Sequence, residues 1–322
     1  MKLDTIDALP PIVDKRIFLR LTLNVPVASS LVTDDFRLTK VLPTLKVLIE
    51  RGAKVLVGSH IGPLGDSSLL PVQRYLERFL PAGSFSLLPN LRANPGEISN
   101  NEDFAKELAS LADYYVNEDF PVSHRKHASI VGLPRFLPSF AGYQFAKEVE
   151  HLSRYISPPK GSILILGGVK LSTKLPLIKS FLPKVDMIFL GSYYVYEKNK
   201  LPSDPKIILP IDVVEDARRV VDVGPRSLEF IQEAVANASA VIWNGPLGKF
   251  EVGYRETTEK LAEAIAYSKA ESVVGGGDSV AAIRKLDLLD KFTFVSTGGG
   301  AMLDFLTHGT LPGIEAILQS KC

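Results

Sequence analysis

The run Ser272-Val273-Val274-Gly275-Gly276-Gly277-Asp278-Ser279-Val280-Ala281-Ala282-Ile283 is apolar, breaks into glycines and then continues at helical spacing. It reads as strand, tight turn and helix N-terminus. That arrangement leaves backbone N–H groups unpaired at the positive end of a helix dipole, where a phosphate can bind. Glycine serves there by allowing positive φ and by letting an anion approach bare backbone. Asp278, at the head of the helix, could cap it or hold a divalent metal beside the phosphate. The plain alternative is a glycine turn with an aspartate cap. The device recurs, however, in Phe292 to Ala301 with Gly298-Gly299-Gly300, in Ala240 to Gly248, and in Ser162 to Gly168. Four glycine-terminated strand ends in one half of the chain point to a common phosphate-binding edge, because ligands of open α/β sheets lie outside the carboxyl ends of the strands.

The first half carries a different polar set. Asn24 follows an expected strand, Arg37 opens a helix, His60 follows a strand, Arg92 follows one within Asn90-Leu91-Arg92, and His124 with Arg125 follow another. Such groups at strand ends should converge on one crevice, suited to a small anion bearing carboxylate or phosphate. Each also has a plain reading: Arg37 as a solvated helix residue, His60 as a capping or packing histidine. Their shared position favours the functional one. His124-x-x-His127 lacks a nearby third ligand, which argues against a metal pair. His151 and His308 carry no motif and read as surface or packing residues.

The elements that must position these residues come from an alternation of β-branched runs and amphipathic stretches. In the first half the expected strands are 17–23, 53–58, 84–88 and 114–117, and the expected helices are 38–50, 69–80, 103–112 and 140–156. Ser157-Pro158-Pro159-Lys160-Gly161 is the clearest linker. Beyond it the expected strands are 162–166, 186–190, 206–211, 240–243, 272–274 and 292–295, and the helices are 174–182, 226–237, 257–268, 279–286 and 301–307. Strands alternating with helices give a parallel, doubly wound α/β sheet in each half. A chain of 322 residues exceeds the range of one growing core, so two domains are expected.

Lys and Arg number 37 against 36 Asp and Glu, which argues against bulk nucleic-acid or membrane-surface binding and makes any basic patch local. The single cysteine, Cys322, allows no disulfide framework or cysteine-based metal site, and a reducing compartment fits. Met1 to Pro10 has no long apolar core, and no apolar run approaches the ~18 residues of a membrane span. A soluble, cytoplasmic protein is expected.

Several strings carry a family resemblance: Arg20-Leu21-Thr22-Leu23-Asn24-Val25-Pro26, Gly58-Ser59-His60-Ile61-Gly62, Asn90-Leu91-Arg92, Tyr115-Val116-Asn117, and His124-Arg125-x-His127-Ala128-Ser129. In the second half they are Leu166-Gly167-Gly168-Val169-Lys170-x-x-x-Lys174, Trp243-Asn244-Gly245-Pro246-x-Gly248-x-Phe250-Glu251, Gly275 to Ser279 and Ser296 to Ala301. On these strings, which keep family order along the whole chain, the sequence resembles phosphoglycerate kinase. The Trp243 to Glu251 and Ser296 to Ala301 strings are highly specific.

The resemblance implies two Rossmann-like three-layer domains with parallel sheets, joined by a hinge. Residues 1–156 would bind 3-phosphoglycerate, with the tail 308–322 packed back on them, and 157–307 would bind the Mg-nucleotide. A monomer would transfer a phosphoryl group reversibly from 1,3-bisphosphoglycerate to ADP, giving 3-phosphoglycerate and ATP, after hinge closure that excludes water. Such transfer needs alignment and charge stabilisation rather than a nucleophilic side chain. By motif position, Arg37 and Lys170 would stabilise the transferring group together with the N–H groups after Gly277 and Gly299. Lys174 would hold nucleotide phosphate with Gly276, Gly277 and Ser279, Asp278 would act on the Mg²⁺ side, and Glu251 would take the ribose hydroxyls. Arg92 and Arg125 would grip the 3-phosphate, with Thr22, Asn24 and His60 beside it. The alternative is a non-catalytic relative that binds phosphorylated ligands or a protein partner, the apolar tail Leu311 to Leu318 being one candidate docking segment.

The chain also departs from the family pattern. Thr22 stands where the family has the aspartate of Val-Asp-Phe-Asn, and Pro63 where it has the arginine of His-Leu-Gly-Arg. An anion and a cation are thus lost together, which would leave the crevice balanced. Glu118-Asp119-Phe120-Pro121 replaces Asp-Ala-Phe-Gly, for which the sequence offers no explanation. Gly191-Ser192-Tyr193-Tyr194 replaces a glycine triplet, which bears on the base pocket, and several dozen residues are missing between Lys200 and Gly224.

Overall fold

The computed structural model describes residues 3–320, so Cys322 lies outside the described residues. They form two compact units, one spanning His151–Gly309 and the other comprising the chain before it and from Thr310 on. The first unit contains β1 (Arg16–Leu21), the short hairpin β2 (Val27–Ala28) and β3 (Leu31–Val32), α1 (Phe36–Glu50), β4 (Lys54–Gly58), α2 (Leu70–Leu76), β5 (Phe85–Leu87), α3 (Pro95–Ile98), α4 (Glu102–Ser110), β6 (Tyr114–Glu118) and β7 (Ser139–Ala141). Helix α5 (Tyr143–Ser153) leads out of it. The second unit holds β8 (Ser162–Leu166), α6 (Leu171–Phe181), β9 (Met187–Leu190), β10 (Ile207–Ile208), β11 (Val213–Asp216), β12 (Arg219–Val223), α7 (Pro225–Asn237), β13 (Ala240–Asn244), α8 (Glu256–Ala266), β14 (Glu271–Gly275), α9 (Gly277–Lys285), β15 (Phe294–Val295) and α10 (Gly299–His308). Helix α11 (Pro312–Leu318) belongs to the first unit, where the Gly313 N–H donates to the Ser123 carbonyl at 2.9 Å.

Strand β1 is buried from Ile17 to its end, so both faces need cover. Successive side chains alternate between those faces. Ile17, Leu19 and Leu21 join Val41, Leu45 and Leu48 of α1 in one core, and Phe18 joins Tyr115, Phe104 and Leu108 in another. The sheet order is β5-β4-β1-β6-β7, all parallel. The second unit repeats the plan with order β10-β9-β8-β13-β14-β15, again all parallel, and its central strands β8 and β13 are buried at every position. In each sheet the chain first builds outward on one side of its opening strand and then crosses to the other. The strand order therefore reverses between β1 and β6, and between β8 and β13, and a crevice opens beyond the carboxyl ends at such a point.

Three sequence expectations need correction. The helix expected from Phe140 is a strand, β7, before α5. The Glu118 carboxylate accepts the Gln144 and Phe145 N–H groups at 2.9 and 2.8 Å, which fixes the start of α5, and a Cβ at Gly142 would collide with that carboxylate. The strand expected at 206–211 shrinks to Ile207–Ile208, and the unforeseen β11–β12 hairpin follows it. Its turn places Ala217 and Arg218 at φ 45° and 62°, positions where glycine or asparagine is usual, so no turn signal was visible. Asp278 does not cap α9: the N-cap is Gly276, at φ 106°, and Asp278 sits inside the first turn. Among the described residues no helix is long and apolar enough to cross a membrane.

Candidate functional site

In the first unit the site is assembled around a residue the sequence reading quoted without a role. Arg20, on the Phe18 face of β1, is fully buried. Its guanidinium pairs with Asp119 at 2.7 Å, donates to Ser129 Oγ at 2.9 Å and to the Leu21 carbonyl at 3.2 Å, and lies 3.1 Å from His60 Nδ1. Arginine always donates, so His60 accepts at Nδ1 and its neutral ring keeps the proton on Nε2. Burial and then the Arg20 charge push the His60 pKa down to about 2, so this imidazole is a neutral donor across the working pH range. Ser129 in turn donates to the buried Glu97 carboxylate at 2.6 Å, and His127 Nδ1 lies 3.7 Å from Glu97.

Above this layer the expected residues come together. Arg37 donates to the Asn24 carbonyl at 2.8 Å, Asn24 Oδ1 accepts the Gly62 N–H at 3.1 Å, and Arg92 donates to the Gly62 carbonyl at 2.8 Å. Asn24 and Arg37 also line a cleft of about 620 Å³ with Ser29, Ser30 and Ser67. Burial, above all, lowers the pKa of Arg37, with Asp119 the leading charge opposing it; Arg92 is lowered by burial and by Arg125 and Arg20. Arg92 thus sits among like charges, whereas the charges acting on Arg37 are opposite ones. Arg125 is exposed, with its Nε 3.4 Å from His124. Thr22 is buried and donates to Asp119 Oδ1 at 2.8 Å or the Glu118 carbonyl at 3.0 Å.

In the second unit backbone does this work. The Gly167 N–H donates to the Asn244 carbonyl at 3.0 Å and the Gly168 N–H to the Pro246 carbonyl at 2.9 Å. A Cβ on Gly167 would collide with the Pro246 carbonyl, one on Gly276 would come 3.3 Å from the Gly245 nitrogen, and one on Gly299 would come 3.1 Å from the Gly276 Cα. Asn244 Nδ2 donates to the Gly299 carbonyl at 3.2 Å. All four glycine turns therefore meet at the β8/β13 switch point. Helices α6, α9 and α10 start there with Lys170, Gly276 and Gly298 as N-caps that make no side-chain cap, which leaves first-turn N–H groups for an anion.

Lys174 is buried among these turns and donates to the Gly167 carbonyl; burial brings its pKa down to about 8 against the pull of Asp278. Lys170 is exposed at the start of α6, and Glu251 is exposed beyond β13. Asp278 is half-buried, and its pKa is raised by burial and by Glu251, with Lys174 opposing. Ser279 Oγ is buried with no hydrogen-bond partner among the described residues. Tyr194, from the departing Gly191-Tyr194 stretch, is fully buried and donates to the Gly167 carbonyl at 3.3 Å, sharing it with Lys174. Tyr196 accepts the Val220 N–H at 2.8 Å, which ties this stretch to the β11–β12 hairpin. Sequence reasoning missed the roles of Arg20 and Glu97, and it noted Asp119 and Tyr194 only as departures from the family pattern. The signal for Arg20 was a lone arginine inside the apolar run Ile17-Phe18-Leu19-Arg20-Leu21.

The sequence profile described as phosphoglycerate kinase matches residues 6–82, 78–198 and 192–309. The chain is 37% identical over 381 aligned positions to the phosphoglycerate kinase of Dictyoglomus turgidum, covering 95% of this chain and 96% of that one. It is 36% identical over 385 positions to that of Orientia tsutsugamushi, covering 95% of each. Both alignments are longer than the chain itself, so these relatives carry residues that have no counterpart here. Among solved structures, phosphoglycerate kinase from Pyrococcus horikoshii matches at a TM-score of 0.87 and 27% identity over 98% of both chains. That from Coxiella burnetii matches at 0.81 and 31% identity over 99% of this chain and 100% of the other. The parallel sheets, the glycine edge and these similarities agree: the chain belongs to the phosphoglycerate kinase family.

Proposed function

We propose that the chain catalyses reversible phosphoryl transfer between 1,3-bisphosphoglycerate and ADP, giving 3-phosphoglycerate and ATP, with the acid on the first unit and the Mg-nucleotide on the second. The observation that carries this reading is the meeting of four glycine turns and Lys174 at one switch point, in a chain of this family. Backbone N–H groups of α9 and α10 donate to phosphate oxygens, and Lys174 leaves the Gly167 carbonyl for one of them. Lys170 and Arg37 neutralise charge on the transferring group, Glu251 receives the ribose hydroxyls, and Arg92 with Arg125 holds the phosphate of the acid. His60 donates through Nε2.

Asp278 suits a divalent cation. Its carboxylate is half-buried and raised in pKa beside Glu251, and a cation there relieves both penalties. Among the described residues no cluster of His, Cys, Asp or Glu could hold a metal by itself. Mg²⁺ binds through one or two carboxylates plus substrate phosphates, so Asp278 would hold it together with the nucleotide. When bound it supplies charge neutralisation at the phosphates.

The test is a coupled assay of 3-phosphoglycerate phosphorylation with ATP and Mg²⁺, repeated with GTP because Gly191 to Tyr194 depart from the family's glycine triplet. Turnover of roughly 1–10³ s⁻¹ is expected. A folded protein that binds nucleotide yet turns over with neither would be a non-catalytic relative.

A further inference from the structure

Two positions at which the chain leaves its family's strings, Thr22 and Asp119, are in contact. They follow β1 and β6 side by side at the switch point, one step past the paired residues Leu21 and Glu118. Thr22 Oγ1 lies 2.8 Å from Asp119 Oδ1 and 3.0 Å from the Glu118 carbonyl. A threonine hydroxyl has one proton, and both neighbours are acceptors. The proton is therefore committed to the protein, and what Oγ1 has left for a ligand is a lone pair. The other carboxylate oxygen of Asp119 pairs with Arg20 at 2.7 Å, both side chains being buried. Asp119 also acts on the crevice: it is the leading charge that supports protonation of Arg37, and it supports Arg92 too.

We propose that Asp119 is a positioning residue for the acid substrate: its carboxylate holds the Thr22 hydroxyl as an acceptor for the hydroxyl group of a small phosphorylated hydroxy acid. This deepens the proposed function and rests on it. The two departures are then one relocation, in which a carboxylate moves from the end of β1 to the end of β6 with a hydroxyl interposed. The arginine replaced by Pro63 is absent, while the carboxylate is present from another strand.

The experiment measures KM for 3-phosphoglycerate and for ATP, with the unfolding temperature, in four variants. Thr22→Val keeps the Arg20–Asp119 pair, and it should raise the acid KM on the order of tenfold, with the ATP KM and unfolding temperature little changed. Asp119→Ala should raise the acid KM and also lower stability, because it leaves Arg20 without its counter-charge. Thr22→Asp alone should be impaired by two adjoining carboxylates. Thr22→Asp combined with Asp119→Ala should bring the acid KM back within about threefold of the unaltered chain, a coupling that independent sites do not show.

An unchanged acid KM in Thr22→Val, or a double variant no better than Asp119→Ala, would overturn the inference and leave the pair as an anchor for Arg20. If Asp119→Ala does not fold, Thr22→Val decides alone. If the unaltered folded chain neither binds nor turns over 3-phosphoglycerate, the proposed function falls first and the inference with it. Turnover with indifferent variants removes the inference alone.

Discussion

In the first unit Arg20, Arg37 and Arg92 crowd beneath and around one crevice and depend on Asp119 and Glu97 for counter-charge, whereas at the β8/β13 switch point helix ends without side-chain caps lie between glycines that approach one another closely. Charge held by side chains can move from one strand to its neighbour and still reach the same place, as proposed for Thr22 and Asp119, which are in contact. Backbone held by glycine cannot move that way, because a single Cβ at Gly167 meets the Pro246 carbonyl. The Gly191 to Tyr194 stretch packs directly against that edge, with Tyr194 donating to the Gly167 carbonyl and Tyr196 tying the stretch to the β11–β12 hairpin.

The comparison breaks first on catalysis. Lys170→Ala and Arg37→Ala should each lower kcat by ~10²–10³ while circular dichroism and the unfolding transition stay in place, since both groups act on developing charge. A loss confined to KM in either variant would make that residue a binder alone.

Stability separates the two constructions next. Arg20→Met should cost about 3–5 kcal/mol in denaturant unfolding by leaving Asp119 buried and unpaired, and Arg20→Met with Asp119→Leu should regain most of that while the acid KM stays impaired. Gly167→Ala should cost about 1–3 kcal/mol or more through overlap that no second side-chain change relieves.

A smaller effect follows from Lys174, whose folded pKa of about 8 lies below its ordinary 10.5. Between those values the unfolded chain binds more protons, so the Lys174 contribution should make stability rise as pH goes from about 8 to about 10.5 and stay flat below and above that window. Lys174→Met should flatten that slope. Nucleotide binding near pH 8 should take up about half a proton, read as buffer-dependent calorimetric heat. The smallest change is Tyr196→Phe, which removes the acceptor of the Val220 N–H and should cost about 1 kcal/mol in unfolding with the acid KM unaltered.

The sequence by itself determined the alternation of strands and helices and the places where strands end in glycine or in arginine, histidine and asparagine. Those features are local: apolar periodicity sets an element, and glycine or a cap residue sets its end. It was misled where local signals were weak. Phe140 entered a strand because β6 was there to pair with it, and Ala217-Arg218 turned a hairpin without a turn residue. Only the tertiary structure decided that the strand order reverses beside β1 and beside β8, which brings residues far apart in the chain to two single crevices. It also decided that Arg20 is buried, that Asp278 lies inside α9, and that Thr22 meets Asp119 across 97 positions of chain. Contacts at that separation depend on which strands become neighbours, and no short stretch of sequence carries that information.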